Sequence, residues 1–186
     1  MGLLSIIRKQ KSKDRELRVL VLGLDNAGKT TIVKQWLHED ITEVSPTMGF
    51  NISTITHGGY TLNIWDVGGQ SSLRPFWGNY FEKTNIIIWV VDCLAVERIK
   101  ESFEELEHKI LTQNKVGSDV ALLILMNKVD LVPDPAALRT NLLAQLDLQR
   151  RVPPSTAWGV QMVSGKTGDG ILNALGWCVS EKGATR

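Results

Sequence analysis

The chain has 186 residues, 43% of them hydrophobic, and a net charge of +1. That length suits one domain with a sizeable core, and so small a charge sets up no global field to gather nucleic acid. Two cysteines, Cys93 and Cys178, exclude a disulfide framework and stand in no metal-binding spacing.

The first segment reads MGLLSIIRKQK. Leu3, Leu4, Ile6 and Ile7 make a short apolar stripe, predicting an amphipathic helix and linker over residues 1–15 ahead of a domain spanning 16–186. Gly2 invites N-myristoylation, but that pattern wants a hydroxyl at position 6, where Ile6 stands, so no lipid and no stable membrane anchor is expected. Burying the stripe gives roughly 6–12 kcal/mol at most, and ordering the segment costs a similar amount. A segment so balanced is expected to dock or release as its groove changes. With no signal-peptide pattern, the expected location is cytoplasmic.

A strand around Val19–Leu22 runs into Gly23-Leu24-Asp25-Asn26-Ala27-Gly28-Lys29-Thr30, followed by Thr31 in a helical stretch. This is a phosphate loop in its working context, after a strand and before a helix. Gly23 and Gly28 let successive N–H groups converge on phosphate, Lys29 adds charge for the β- and γ-phosphates, and Thr30 offers a hydroxyl to Mg²⁺. In Ser45-Pro46-Thr47-Met48-Gly49-Phe50, Thr47 is the candidate for a second hydroxyl on the same ion.

Phe50–Thr56 and Tyr60–Trp65 flank His57-Gly58-Gly59, which predicts a β-hairpin and one antiparallel edge strand. Its second arm ends in Trp65-Asp66-Val67-Gly68-Gly69-Gln70. Asp66 can hold Mg²⁺, often through water; the Gly69 N–H can reach a γ-phosphate, and Gln70 can orient an attacking water. The apolar runs Ile86–Val91, Val120–Met126 and Val160–Val163 suit buried parallel strands, separated by helical spacing at Ile99, Phe103, Leu106 and Ile110 and at Leu138, Leu142, Leu143 and Leu146. The fold expected is a doubly wound α/β domain with a mixed six-stranded sheet and ligands beyond the carboxyl ends of its strands.

Asn127-Lys128-Val129-Asp130 follows one of those runs. A carboxylate at Asp130 accepts from the N1–H and exocyclic amine of guanine, a donor pair that adenine lacks. Ser164, Gly165 and Lys166 follow the last run and can close over the base. Of the tryptophans, Trp89 is expected in the core, while His38, His57 and His108 read as surface residues.

GLDNAGKT, PTMGF, WDVGGQ and NKVD together resemble a small GTPase of the ADP-ribosylation-factor-like family over essentially the whole chain. The resemblance implies GTP/GDP and Mg²⁺ as ligands, Thr30 and Thr47 on the metal, Lys29 and Gly69 on phosphates, Gln70 as the water-positioning residue, and Asn127, Lys128 and Asp130 around guanine. It also implies Phe50, Trp65 and Tyr80 as an effector-facing trio. MGLLSIIRKQK, SPTMGF and RPFWGNYF are most similar to the branch associated with tubulin-folding cofactors, including its fungal microtubule-related members. That likeness implies tubulin cofactor D and tubulin as partners, cytoskeletal association, and carriers of lipidated cargo among the partners of some relatives. Asp92-Cys93-Leu94-Ala95 and Arg150–Trp158 depart from the pattern of that branch.

The expected function is a molecular switch that hydrolyses GTP slowly and needs an activating protein, because no catalytic arginine stands in the nucleotide motifs. The resemblance further implies that the hairpin slides by two residues along the sheet, about 7 Å, a step that keeps every side chain on its face where a one-residue slip would reverse it. The alternatives are an Arf-type membrane-traffic GTPase, a metabolic P-loop enzyme such as a nucleotide kinase, and a switch that holds GTP without turnover.

Overall fold

Alternate residues of β1 (Glu16–Leu22) face opposite sides of the sheet and decide how the domain is layered. Leu20 and Leu22 enter one apolar core, while Leu17, Val19 and Val21 enter another. The same alternation runs through β4 (Ile86–Asp92), where Ile87, Trp89 and Val91 oppose Ile86, Ile88 and Val90. Both strands are apolar through Val19–Leu22 and Ile86–Val91, because both faces are covered there. Full burial of each β4 isoleucine contributes about 1.5–3 kcal/mol.

The computed structural model describes residues 15–183. The remaining elements are α1 (Lys29–Trp36), β2 (Phe50–His57), β3 (Tyr60–Val67), a 3-10 helical segment (Arg74–Tyr80), α2 (Val96–Leu106), β5 (Ala121–Asn127), α3 (Pro135–Leu146), α4 (Leu148–Arg151), β6 (Trp158–Met162) and α5 (Ile171–Gly183). The sheet has six strands in the order β2-β3-β1-β4-β5-β6. All pairs are parallel except β2 with β3, as expected for the hairpin. Residues of α2 and α3 fill one core, and those of α1 and α5 fill the other. The hairpin turns at Gly58 (φ +55) and Gly59 (φ +77), a doubly left-handed turn that matches strand twist. Its register sets Phe50 opposite Val67 and His57 opposite Tyr60.

The N-terminal helix expected over residues 1–15 lies outside the described residues, save for Arg15, whose carbonyl accepts the Thr61 N–H at 2.8 Å. Most strand boundaries shift by one to three residues, and two departures from the expected pattern have a visible cause. The last strand starts at Trp158, earlier than its apolar run, because Gly159 passes under the Trp177 ring, where a Cβ would lie 2.8 Å from the indole nitrogen. The helical pattern ending at Ile110 is not one helix: α2 gives way to a π turn, with the Thr112 N–H on the Glu107 carbonyl (2.8 Å). That wider turn keeps Ile110 and Leu111 in the core.

Trp89 is fully buried, as expected, and its indole donates to Ser102 Oγ at 3.1 Å. Trp36 and Trp77 are also buried. Cys93 and Cys178 lie in opposite cores, and burial pushes both thiols up to about 12.

Candidate functional site: a nucleotide cleft at the strand ends

β1 leads into the loop at residues 23–28, and α1 begins at Lys29. The loop turns so tightly because Gly23 (φ +140) would place a Cβ 2.4 Å from the Val90 carbonyl. Gly28 (φ +94) meets the Asn127 amide in the same way, at 2.2 Å. Lys29 is 6% exposed, and its ammonium donates to the Gly23 (3.0 Å) and Leu24 (2.7 Å) carbonyls. Burial lowers its pKa to about 8.

A cavity of about 400 Å³ opens above this loop. Asp25, Asn26, Gly28, Lys29, Thr30 and Thr31 line it from below, and Thr47, Gly69 and Gln70 from the other side. A second cavity of about 200 Å³ is lined by Asn127, Lys128, Asp130, Gly165 and Lys166. Gly28 and Thr31 belong to both walls, so the two spaces meet at the start of α1, where free N–H groups favour an anion. The arrangement suits a phosphate chain in the larger space and a base in the smaller.

Gly23, Ala27, Asp66 and Ser164, also expected at the site, line neither cavity and stand behind the walls. Asn127 is the bolt between the two halves. Its amide donates to the Ala27 carbonyl (2.8 Å) and its oxygen accepts the Gly165 N–H (2.9 Å). Ser164 Oγ donates to Asp130 (2.7 Å) and accepts the Thr167 N–H (3.0 Å). Lys128 adopts φ +69 and pairs with Asp92 at 2.6 Å, so the segment Asp92–Ala95, set apart in sequence as a variant, anchors the base loop.

Thr30 and Thr47 stand 17 residues apart in sequence and their hydroxyls lie 2.9 Å apart. Both donate to Asp66 Oδ2, at 2.7 Å from Thr30 and 3.4 Å from Thr47. The other carboxylate oxygen, Oδ1, is buried without a hydrogen-bond partner. Burial pushes the Asp66 carboxyl up, against the pull of the Thr30 hydrogen bond and the Lys29 charge. Two hydroxyls, a carboxylate with an orphaned oxygen and a phosphate cavity suit Mg²⁺, which keeps waters and takes one or two carboxylates with substrate phosphates. Among the described residues, no cluster of three or more His, Cys, Asp or Glu offers a rival metal cage.

The aromatic trio also comes together. Phe50 stacks on Trp65 with centroids 5.2 Å apart, and Tyr80 lies 5.3 Å from Phe50. Arg18 sits 3.9 Å from the centre of the Trp65 ring and donates to the Tyr80 carbonyl (3.1 Å). Phe50 is exposed, as are Met48, Ile52 and Phe76.

The chain matches the ADP-ribosylation factor family across residues 3–182. It belongs to that family. It is 45% identical over 181 residues to ADP-ribosylation factor-like protein 2 of Drosophila melanogaster, covering 97% of this chain and 95% of that one. It is 46% identical over 182 residues to ADP-ribosylation factor-like protein 3 of Chlamydomonas reinhardtii, covering 97% and 99%. A solved structure, the Arl6 BBS3 small GTPase of Trypanosoma brucei with bound nucleotide analogue GppNp, superposes with a TM-score of 0.79 at 25% identity, covering 92% of this chain and 99% of that one. The chain is thus an Arf-like small GTPase, a GTP-binding switch, on the fold expected.

Several site residues of this Arf-family chain were not legible in its motifs. Trp77 donates its indole N–H to the Gly68 carbonyl (3.0 Å) and meets Trp89 edge-on at 5.7 Å, tying the loop after β3 to the core. Arg74 and Arg98 converge on Asp25. No local spacing announces any of these three: Trp77 and Arg74 act on backbone carbonyls of the preceding loop, and both arginines reach Asp25 from far along the chain.

Proposed function

We propose that this GTPase is a switch that hydrolyses GTP to GDP, with Thr47 and the Gly69–Gln70 turn reading the γ-phosphate, and that it regulates tubulin folding and assembly. The observation that carries the switch is the Thr30–Thr47–Asp66 cluster beside the phosphate cavity. Thr47 belongs to a loop without regular structure before β2, and its position here requires that loop to be drawn over the cavity. A state with a γ-phosphate favours this arrangement, and a state without one has less to hold it.

Thr30, Thr47 and Asp66 would hold Mg²⁺, with Asp66 acting directly or through water. The ion supplies neutralisation of phosphate charge. Lys29 faces the β- and γ-phosphates, and Gln70 orients water for attack. Asp130, with Asn127 and Lys128 shaping its loop, selects guanine, while Gly165 and Lys166 close over the base. Among the described residues no arginine lines the phosphate cavity, which supports slow intrinsic turnover and the need for an activating protein. The GTPase domain is taken as residues 16–186, preceded by the segment 1–15 as a nucleotide-sensitive handle.

The tubulin assignment, with tubulin cofactor D as partner, rests on the likeness of SPTMGF and RPFWGNYF to that branch. The Phe50–Trp65–Tyr80 cluster, exposed at Phe50 and partly buried at the other two, supplies an apolar surface for an effector, and carriers of lipidated cargo are a second class it would suit. This reading locates the protein in the cytoplasm, in part with the cytoskeleton. Affinity capture with wild type, Gln70→Leu and Thr30→Asn tests it. Wild type and Gln70→Leu should retrieve tubulin cofactor D or tubulin, and Thr30→Asn should show altered recovery. Retrieval of membrane coat proteins without a tubulin cofactor would overturn the tubulin role and favour membrane traffic.

A further inference from the structure

Arg74 is a charged residue only 6% exposed, in the 3-10 segment that follows Gln70. Its guanidinium reaches three separate parts of the chain. Nε donates to the Gly69 carbonyl at 3.0 Å. One terminal nitrogen meets Glu101 (2.8 Å) and Glu105 (3.2 Å) on α2, and the other meets Asp25 of the phosphate loop (3.4 Å). Burying a guanidinium is costly unless its donors are matched, and its planar fork means that turning to improve one contact disturbs the rest.

A second arginine completes the assembly. Arg98 binds Asp25 Oδ1 at 2.8 Å and the Asp25 carbonyl at 3.1 Å. Its Nε meets the free oxygen of Glu101 at 3.1 Å, so Glu101 bridges both arginines. Asp25 in turn donates its backbone N–H to the Gly69 carbonyl at 3.2 Å.

The Gly69 carbonyl therefore has two donors, one from the phosphate loop and one from Arg74. That carbonyl belongs to the peptide joining Gly69 to Gln70, so fixing its plane fixes the backbone from which Gln70 projects. Gln70 lines the phosphate cavity, whereas Arg74 does not. With its donors committed to three carboxylates and a carbonyl, Arg74 is engaged in holding the loop and is not aimed at phosphate.

We propose that Arg74 is a positioning residue for GTP hydrolysis, bolting the Gly69–Gln70 turn to Asp25 with Arg98 as the second anchor. It controls turnover more than nucleotide affinity. The proposal rests on the GTPase reading above, and its test separates the two. Arg74→Lys keeps the charge and loses the fork. Displacement of a reactive group by about 1 Å costs on the order of a hundredfold, so single-turnover hydrolysis of radiolabelled GTP should fall by about ten- to a hundredfold. Affinity for GDP, measured by displacement of a fluorescent GDP analogue, should stay within about threefold of wild type, because the loop's phosphate-facing groups remain. Arg98→Lys leaves the Nε contact to Gly69 intact and should slow hydrolysis less. Glu105→Gln removes one outer partner of Arg74 and should show a smaller effect of the same kind, serving where Arg74→Lys does not fold. Wild-type turnover in Arg74→Lys, or in Glu105→Gln where that variant serves instead, overturns the proposal. A parallel loss of turnover and GDP affinity also overturns it, marking a merely structural role. Absence of GTP hydrolysis in the wild type would instead overturn the parent reading.

Discussion

Gly69→Ala is the substitution whose consequence the structure determines most tightly. A Cβ on Gly69 would lie 2.4 Å from the Gly23 carbonyl oxygen, 2.5 Å from the Asp25 nitrogen and 2.5 Å from the Leu24 carbonyl carbon. All three are backbone atoms of the phosphate loop, so no side-chain rotation relieves the clash. Restoring ordinary contact requires the loop after β3 to retreat by about 1 Å. That stretches the Asp25 N–H to Gly69 hydrogen bond from 3.2 Å past any useful length, together with the 3.0 Å bond from Arg74. The neutral bond is worth about 1 kcal/mol and the charge-assisted one about 1.5–3 kcal/mol, giving a loss of about 2.5–4 kcal/mol. The loss falls on the arrangement that reads the γ-phosphate. At 1.36 kcal/mol per tenfold, preference for a non-hydrolysable GTP analogue over GDP should fall by about 100- to 1000-fold. Competitive displacement of a fluorescent GDP analogue measures both affinities. If Gly69→Ala binds the two nucleotides in the wild-type ratio, the docked loop has no part in sensing the γ-phosphate.

Three further outcomes follow from the same geometry. Ser164→Ala removes the hydroxyl that orients Asp130 and accepts the Thr167 N–H, so calorimetry should show GTP and GDP affinities both reduced by about tenfold, with their ratio unchanged. Burial lowers the Lys29 pKa to about 8 and phosphate charge raises it, so nucleotide binding should involve no proton uptake by this lysine below about pH 7 and up to one proton taken up at higher pH, with affinity weakening as pH rises; calorimetry in buffers of different ionisation heat reads this directly. The hydrogen bonds from Arg98 hold the carboxyls of Asp25 and Glu101 below their ordinary values of 3.8 and 4.5. Their contribution to stability is present above those values and is lost as pH falls through the lower folded ones, so urea unfolding of Arg98→Met should show a shallower acid dependence below about pH 4.5 than wild type.

The parts of the site that sequence announced are those whose chemistry is local. A phosphate loop works through consecutive backbone N–H groups, so Gly23, Gly28, Lys29 and Thr30 declare it by spacing alone. The hairpin was equally legible, because Gly58 and Gly59 supply the left-handed turn between apolar arms. What stayed hidden depends on contacts across the fold. Arg98 meets Asp25 from 73 residues away, and Asn127 bolts to Ala27 from 100 residues away. The start of β6 was obscured because Gly159 reads as a strand breaker until the Trp177 ring above it is seen. The π turn is not legible in the pattern because Ile110 keeps helical spacing with Leu106 while the hydrogen bonds change partner.

Hydrogen–deuterium exchange of the full chain with Mg²⁺ and GDP, against Mg²⁺ and a non-hydrolysable GTP analogue, tests the switch most directly. The triphosphate state should protect residues 45–50 and the loop 67–73, with β4 and β5 unchanged between the two. Identical protection of residues 45–50 and 67–73 in both states would contradict the account.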